Sequence, residues 1–456
     1  MSNDPTLFDL ETLRSKPQET PSLPHKELPR KYTPIIRNQL EFKIECLDTL
    51  IPHDHEVRTV WKFVEQLDLS GIGERNISLR DNPGRPALDP RVLISLWIYA
   101  ISQGVISARQ ISKLCEDHRG FIWLAGGNTI SHHTLSKFRS QNSDLFEDLV
   151  IQSIAMLVNK ELINLEEVAQ DGVKIKANAS TATYHRKKTL VQMKQEVKKR
   201  IEVLEDLQKK GKLDTLEKRK KEKELAAAKE KEKDITEAIK ELEKYKQQRN
   251  ENRSKHGKKK LSKKEVMNLR VSRVDPECRK MRMAGGNFQL AHNIQIATDL
   301  NSELAIGVRV TQNGTDGGEM SKMHNQLKNM YQRDFKSYVV DDGYASRADI
   351  ESVQMQGTKV YIPIDGHLKS TKQKVLAQDT DSITESMKEL VNRMESDEGK
   401  KVYNKRIRAS ETVHAYFRNH GLGQLLVRGT VNVLGFINIF CLAYNMTVIK
   451  RLFDVL

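Results

Sequence analysis

The spacing of hydrophobic positions changes along the chain, and the change predicts two kinds of structure. From Asp54 to about Lys160, apolar residues recur every three or four positions, as on one face of an α-helix. After Leu165, apolar residues form short runs typical of β-strands, separated by turns and by further helical stretches. Strands that alternate with helices predict an α/β layer with a partly parallel sheet.

The helical region contains a helix with one polar side. Ser131 is placed to cap this helix, and Leu135 and Phe138 form its apolar face. The outer side carries residues that can contact DNA phosphates and base edges: His132, His133, Ser136, Lys137 and Arg139. From these residues alone, an ordinary helical bundle with a solvated face stays open as the alternative.

A long basic segment, residues 185–270, separates the first predicted strand from the second. Its apolar residues recur every three or four positions in two stretches, which predicts two helices folded back on each other. The segment has 30 Lys and Arg against 16 Asp and Glu. It therefore carries nearly all of the chain's net charge of +15. It is either a solvated coiled-coil hairpin or a nucleic-acid-binding arm, and its charge slightly favours the arm.

The ends of the chain differ sharply in composition. Residues 1–35 are rich in proline and charge without a sustained period, which predicts a flexible arm. This segment has no apolar stretch behind a basic start, so we expect a cytoplasmic protein. The apolar run 431–449 is interrupted by asparagines, which are costly in a bilayer, and it is predicted to be a buried terminal helix with no membrane partner.

Three acids are candidates for metal-dependent chemistry. Asp171 lies in the first predicted strand, Asp341 ends a later strand, and Glu411 lies on a predicted helix. Three carboxylates that converge can hold a pair of Mg²⁺ ions, which prefer oxygen ligands and support phosphodiester cleavage. By spacing alone, each acid also fits a turn, a loop or an exposed helical surface. Asp299 and Asp316, at other strand ends, are interpreted as turn residues.

Longer segments, from about Ile51 to Arg451, resemble one protein family. In the helical region these are LIPHDHEVRTVWKFVEQLDLS, GRPALDPRVLISLWIYAISQGVISARQI and SHHTLSKFR. In the α/β region they are VAQDGVKIKANAS, VVDDGYAS, YNKRIRASE and LVRGTVNVLGFINIFCLAYNM. In this order they resemble the DDE-type transposases of bacterial insertion sequences, in the group with a Tyr-Arg-Glu-Lys signature around the last acid.

The resemblance implies a ribonuclease H-like mixed sheet flanked by helices, and it assigns the chemistry. The three acids carried over are Asp171, Asp341 and Glu411, which would hold two Mg²⁺ ions, with Mn²⁺ as a substitute. They would cleave transposon-end DNA and transfer the freed 3′-hydroxyl into target DNA. In the family pattern acid-x-Gly-Tyr, Asp341 takes the catalytic place and Asp342 the variable one.

The resemblance also implies DNA-contacting residues. Tyr403 and Arg406 match the signature, with one extra residue before Glu411 compared with the commonest spacing. Arg418 stands where the signature has Lys; it keeps the phosphate-pairing charge but not the compact ammonium. In the helical domain, the residues expected to help hold the terminal repeats are His133, Lys137 and Arg139.

The resulting expectation is a DNA transposase that acts as a homodimer when it synapses two ends, in the bacterial cytoplasm at the nucleoid. Its predicted domains are a flexible arm (1–35), a helical DNA-binding domain (36–160) and a catalytic domain (161–456) interrupted by the basic coiled-coil insertion (185–270). Two alternatives remain at this point. They are a catalytically silent DNA-binding descendant and a ribonuclease H-like nuclease without strand transfer.

Overall fold

The computed structural model describes residues 46–70, 88–210, 215–255, 257–379 and 381–453, so the predicted flexible arm lies outside the described residues. The described part of the N-terminal region is mostly helical. Its α-helices are α1 (Glu56–Glu65), α2 (Pro90–Ser102), α3 (Ala108–Asp117), α4 (Arg119–Leu124), α5 (His132–Gln141) and α6 (Ser143–Asn159).

Local sequence explains where these helices begin. In α2, Pro90 occupies the first turn, where its missing N–H costs nothing, and the Asp89 side chain accepts a hydrogen bond from the Arg91 backbone N–H at 2.8 Å. In α5, the Ser131 hydroxyl accepts from the Thr134 backbone N–H at 3.1 Å, as predicted. All residues of α2 from 93 to 101 are buried, so α2 is a central helix of this region.

The strands of the described chain are β1 (Glu167–Lys176), β2 (Tyr184–Arg186), β3 (Arg270–Ser272), β4 (Arg279–Arg282), β5 (Phe288–Asp299), β6 (Ala305–Thr311), β7 (Ser337–Val339) and β8 (Lys359–Tyr361). Six of them form one mixed sheet in the order β4-β5-β1-β7-β8, with β6 also paired to β5. The predicted partly parallel sheet is confirmed, because β1, β7 and β8 run parallel while β4, β5 and β6 pair antiparallel.

The basic segment between β2 and β3 forms two long helices, α7 (Lys187–Lys210) and α8 (Thr215–Lys255), followed by the short α9 (Lys263–Asn268). The two long helices are antiparallel, since Lys187 near the start of α7 pairs with Glu243, and Glu205 near its end pairs with Lys229. They share a small apolar core of their own. The strands β2 and β3 pair antiparallel at the base of the segment.

A buried ion pair joins this segment to the main sheet. Arg279 of β4 donates to Glu241 of α8 at 2.7 Å, and the guanidinium also stacks 4.3 Å from the ring of Tyr245. Arg279 also donates to Gln312, just after β6, at 2.6 Å. These contacts attach the second half of α8 to the sheet. Removing one partner of a buried ion pair is strongly destabilising.

The remaining helices flank the sheet: α10 (Met320–Tyr331), α11 (Arg347–Gln354), α12 (Lys369–Leu376), α13 (Glu385–Glu395), α14 (Asp397–Asn419) and α15 (Thr430–Phe453). By length and composition α15 could cross a membrane, yet its most apolar window is 83% buried inside the protein. It packs on α2, α6 and β6. The Asn445 side chain accepts from the backbone N–H of Ala305 and donates to its carbonyl, so α15 is the predicted buried terminal helix.

Candidate active site

Two of the predicted acids occupy matching positions of adjacent parallel strands, Asp171 within β1 and Asp341 just after β7. Ala169 of β1 lies opposite Val339 of β7, and Asp171 and Asp341 each come two residues after this pair. Because side chains alternate between the faces of a strand, residues two positions beyond a matched pair share a face. The sheet therefore brings these two carboxylates to neighbouring positions.

The Asp171 carboxylate is largely buried and electrostatically crowded. Its Oδ1 atom accepts a hydrogen bond from the Gly172 backbone N–H at 2.8 Å. Burial is the main reason that the pKa of Asp171 is raised, and the charges of Asp316 and Glu411 raise it further. Arg406 acts in the opposite direction and lowers it. Asp171 therefore lies among acidic groups with one cation beside it.

Asp341 lies at the start of a short 3₁₀ turn, and its Oδ1 atom accepts from the Gly343 backbone N–H at 2.9 Å. Burial raises the pKa of Asp341, and the charge of Asp171 is the next largest cause. The charge of Asp171 thus disfavours the ionised form of Asp341, as expected for neighbouring carboxylates.

Glu411 comes from α14, which packs against β1, β5 and β8. Its side chain is exposed, and its charge contributes to the raised pKa of Asp171. The charge of Glu411 therefore acts on Asp171 from a position that is more open to solvent than those of the two strand acids.

Arg406 also comes from α14 and reaches the first acid. Its Nη1 atom lies 3.6 Å from Asp171 Oδ2, and its guanidinium lies 5.6 Å from the ring centre of Tyr403. Only 16% of the Arg406 side chain is exposed. Arg418, farther along the same helix than Glu411, is exposed.

The donor chemistry of this cluster fits divalent metal ions, because Mg²⁺ prefers carboxylate oxygens. A cation would also reverse the repulsion that raises the pKa of Asp171 and Asp341. Among the described residues, however, no three acidic, histidine or cysteine side chains are already close enough to hold one ion. A single ion held by three of these side chains would therefore need them closer together than they lie here.

Two further residues of the site were not predicted from the sequence. Asp316, interpreted as a turn residue, raises the pKa of both Asp171 and Asp341 through its charge. His414, one helical turn after Glu411, is buried with its Nε2 atom 3.8 Å from Asp171 Oδ2. The helical spacing from Glu411 could have drawn attention to His414, whereas no local signal identifies Asp316.

Two other acids, Asp342 and Asp299, have hydrogen-bond partners of their own. The Asp342 carboxylate accepts from the His367 backbone N–H at 2.9 Å and pairs with the His367 ring at 2.7 Å. Asp299 accepts from the backbone N–H and the hydroxyl of Ser302, as a turn residue does. Both acids therefore bind residues that are not part of the acidic cluster.

The polar side of α5 differs from its prediction at one position. His133 and Lys137 are not buried, but Arg139 is, with a relative accessible surface of 9%. Its guanidinium lies 4.6 Å from the ring centre of Trp97 and 5.0 Å from that of Phe436. Arg139 was expected on the outer side of α5, and this is wrong, because the residue faces the aromatic core.

Two family models match the chain. One described as a transposase domain (DUF772) matches residues 45–141, and one described as a transposase DDE domain matches residues 279–446. The chain belongs to the DDE-type transposases. It is the transposase of an insertion sequence, a protein of transposition and DNA recombination.

The two matched regions cover only part of the candidate site. The DDE match includes Asp341, Glu411 and the signature residues, whereas Asp171 and the basic segment lie between the two matches. Searches among curated proteins and among solved structures find no match. The family assignment therefore comes from the two domain matches.

Proposed function

We propose that this transposase cleaves DNA at the ends of its insertion sequence and transfers the freed 3′-hydroxyl into target DNA. Asp171, Asp341 and Glu411 are its catalytic acids and ligands of two Mg²⁺ ions, for which Mn²⁺ can substitute. The observation that carries the proposal is the register of β1 and β7, which gives Asp171 and Asp341 neighbouring positions beside the helix of Glu411. A ribonuclease H-like architecture for the mixed sheet is part of this proposal.

Each residue of the site has its own proposed role. Divalent ions, when bound, would activate a water or a DNA 3′-hydroxyl and stabilise charge on the leaving oxygen. Asp171 and Asp341 supply oxygen ligands from the sheet, and Glu411 supplies them from the open side of the site. Arg406 balances Asp171 before DNA binds and pairs with phosphate oxygens afterwards, with Tyr403 beside its guanidinium. Arg418 contacts the DNA backbone farther along α14.

DNA binding is proposed for two other parts of the chain. Residues 36–160 form the domain that holds the terminal repeats, where the accessible His133 and Lys137 support contact by α5. Residues 185–270 form a coiled-coil insertion in the catalytic domain, residues 161–456, and their basic charge supports contact with DNA phosphates. A homodimer would bring two ends together, in the cytoplasm at the nucleoid.

The proposal is tested with the element's own end DNA, a target plasmid and Mg²⁺. A transposase yields nicked or cut ends and also products in which end DNA is joined to the plasmid. Cuts without joined products would favour a nuclease, and end binding without cuts would favour a silent descendant. Omitting Mg²⁺ with EDTA present is the control, and it should leave end binding intact while abolishing both products.

A further inference from the structure

A fourth carboxylate, that of Asp316, lies between the two strand acids. A Cβ atom built on Gly172 would lie 2.5 Å from Asp316 Oδ1, and one built on Gly343 would lie 3.5 Å from Asp316 Oδ2. Gly172 directly follows Asp171, and Gly343 is the backbone partner of Asp341. The loop between β6 and α10 therefore places an acid between Asp171 of β1 and the turn that begins at Asp341.

A buried chain of amides fixes this carboxylate. The Tyr338 hydroxyl donates to Gln170 Oε1 at 2.7 Å, and Gln170 Nε2 donates to Gln295 Oε1 at 2.8 Å. Gln295 Nε2 then donates to Asp316 Oδ1 at 2.7 Å, and Asn293 Nδ2 donates to the same oxygen at 2.8 Å. Gln170, Asn293 and Gln295 are fully buried. The hydrogen bonds thus hold Oδ1 and leave Oδ2 on the side of Gly343.

The negative charge of Asp316 is not needed by this network, since a neutral amide oxygen would accept the same two hydrogen bonds. Among the described residues, no Lys, Arg or His forms an ion pair with Asp316. Its carboxylate instead lies beside Gly172, which follows Asp171, and beside Gly343, which binds Asp341. An acid that repels two others at a fixed position costs stability unless a cation joins them.

His414 gives an independent indication that a group belongs among these acids. The residue is buried, with a relative accessible surface of 8%, and neither ring nitrogen has a hydrogen-bond partner. Its Nε2 atom faces Asp171 Oδ2 at 3.8 Å, which is too long for a hydrogen bond. A buried polar group without a partner is uncommon, and here it points towards a ligand or ligand-bound water at the acidic cluster.

We infer that Asp316 is a fourth acidic residue of the divalent-cation site, which contributes its charge through Oδ2 while Oδ1 stays bound to the amides. This inference rests on the proposed function of Asp171 and Asp341. It extends that function to a loop residue outside the three acids. The variant Asp316→Asn separates the two roles of the side chain, because it keeps an acceptor oxygen for the amides and removes only the charge.

The test is a titration of the metal-free full-length protein with Mn²⁺, followed by electron paramagnetic resonance of the free ion. Asp316→Asn should bind Mn²⁺ about tenfold more weakly than the wild type, which is about 1.4 kcal/mol. The matched control is Asp299→Asn, which neutralises a buried acid of the same sheet whose oxygen Oδ2 is used by Ser302. It should bind as the wild type does. Asp171→Asn is included as the reference for loss of a strand acid.

The outcomes separate this inference from the proposed function. Wild-type affinity in Asp316→Asn, with weaker binding in Asp171→Asn, would overturn the role of Asp316 and leave the three acids in place. Unchanged binding in both variants, or no binding by the wild type, would contradict the cation site as a whole. A second readout, thermal unfolding in EDTA, needs no metal. Asp316→Asn should be more stable than the wild type, because the substitution relieves repulsion between the acids. A lower stability of the variant would count against the inference.

Discussion

The guanidinium of Arg406 lies against the carboxylate of Asp171, with 3.6 Å between Nη1 and Oδ2. The two residues come from α14 and β1, so this ion pair links the helix of Glu411 to the central strand of the sheet. Arg406 lowers the pKa of Asp171 and of Asp341, and so offsets part of the effect of burial and mutual repulsion. In the metal-free protein, Arg406 is thus a positive charge next to Asp171.

Replacing Arg406 should therefore impair catalysis more than folding. Arg406→Met keeps the length of the side chain and removes the charge, and we expect strand cleavage to fall about 100-fold, as for removal of one electrostatic partner of the transition state. Arg406→Lys, the matched control, should recover part of the rate because a point charge remains. Single-turnover cleavage at saturating end DNA measures both, and a wild-type rate in Arg406→Met would contradict the role.

The raised pKa of Asp341 predicts a stability that depends on pH. Below the ordinary pKa of aspartate the group is protonated in both the folded and the unfolded protein, so it carries no penalty there. As the pH rises through the raised folded pKa, ionisation disfavours the folded state. Asp341→Asn should therefore stabilise the metal-free protein at about pH 7.5, on the order of 1 kcal/mol, and not at about pH 3.

Urea unfolding in EDTA at the two pH values measures this effect. Addition of Mg²⁺ should stabilise the wild type more than Asp341→Asn and so narrow the difference at neutral pH. A variant that is less stable than the wild type at neutral pH without metal would show that burial and repulsion do not raise the pKa of Asp341.

Two basic residues of α5 should behave differently. Lys137 is exposed, so Lys137→Ala should weaken binding of end DNA without changing the melting temperature. Arg139 lies against Trp97 and Phe436 in the core, so Arg139→Ala should lower the melting temperature by removing this packing. Differential scanning fluorimetry and fluorescence anisotropy with end DNA separate the two effects. An equal fall in melting temperature in both variants would contradict the assignment of Lys137 to the DNA surface.

The basic insertion should contribute to the salt dependence of DNA binding. Lys218, Arg219 and Lys220 are exposed on α8, and changing all three to Gln should reduce the slope of log affinity against log salt by about 0.9 for each phosphate that is no longer neutralised. The matched control changes Lys218 and Lys220 to Arg, which keeps the charge and should keep the slope. An unchanged slope in the Gln variant would assign these residues to a solvated surface.

Much of the architecture could be predicted from local pattern. The strands around Asp171 and Asp341 and the cap at Ser131 follow from periodicity and turn chemistry, and the structure confirms them. The pairing of Ala169 with Val339 could not be predicted, because register depends on contacts between strands that are far apart in sequence. That register, and not the spacing of the acids along the chain, gives the first two acids neighbouring positions.

Side-chain placement was less predictable than the elements. Arg139 fits the polar side of α5 by helical period, but packing of α15 against the helical region brings Phe436 to its guanidinium. Asp316 looks like a turn residue in the sequence, and only the pairing of β5 with β1 and β6 brings its loop to Gly172. Both cases depend on tertiary packing, which overrides local preference.

The most direct test of the central claim is strand cleavage of end DNA in Mg²⁺ by the wild type and by Asp171→Asn, Asp341→Asn and Glu411→Gln, each at a protein concentration that saturates end binding. The account predicts that all three variants bind the ends as the wild type does and yield neither cut nor joined DNA. Cleavage by any of the three at the wild-type rate would contradict the assignment of that acid and, for Asp171 or Asp341, the active site proposed between β1 and the end of β7.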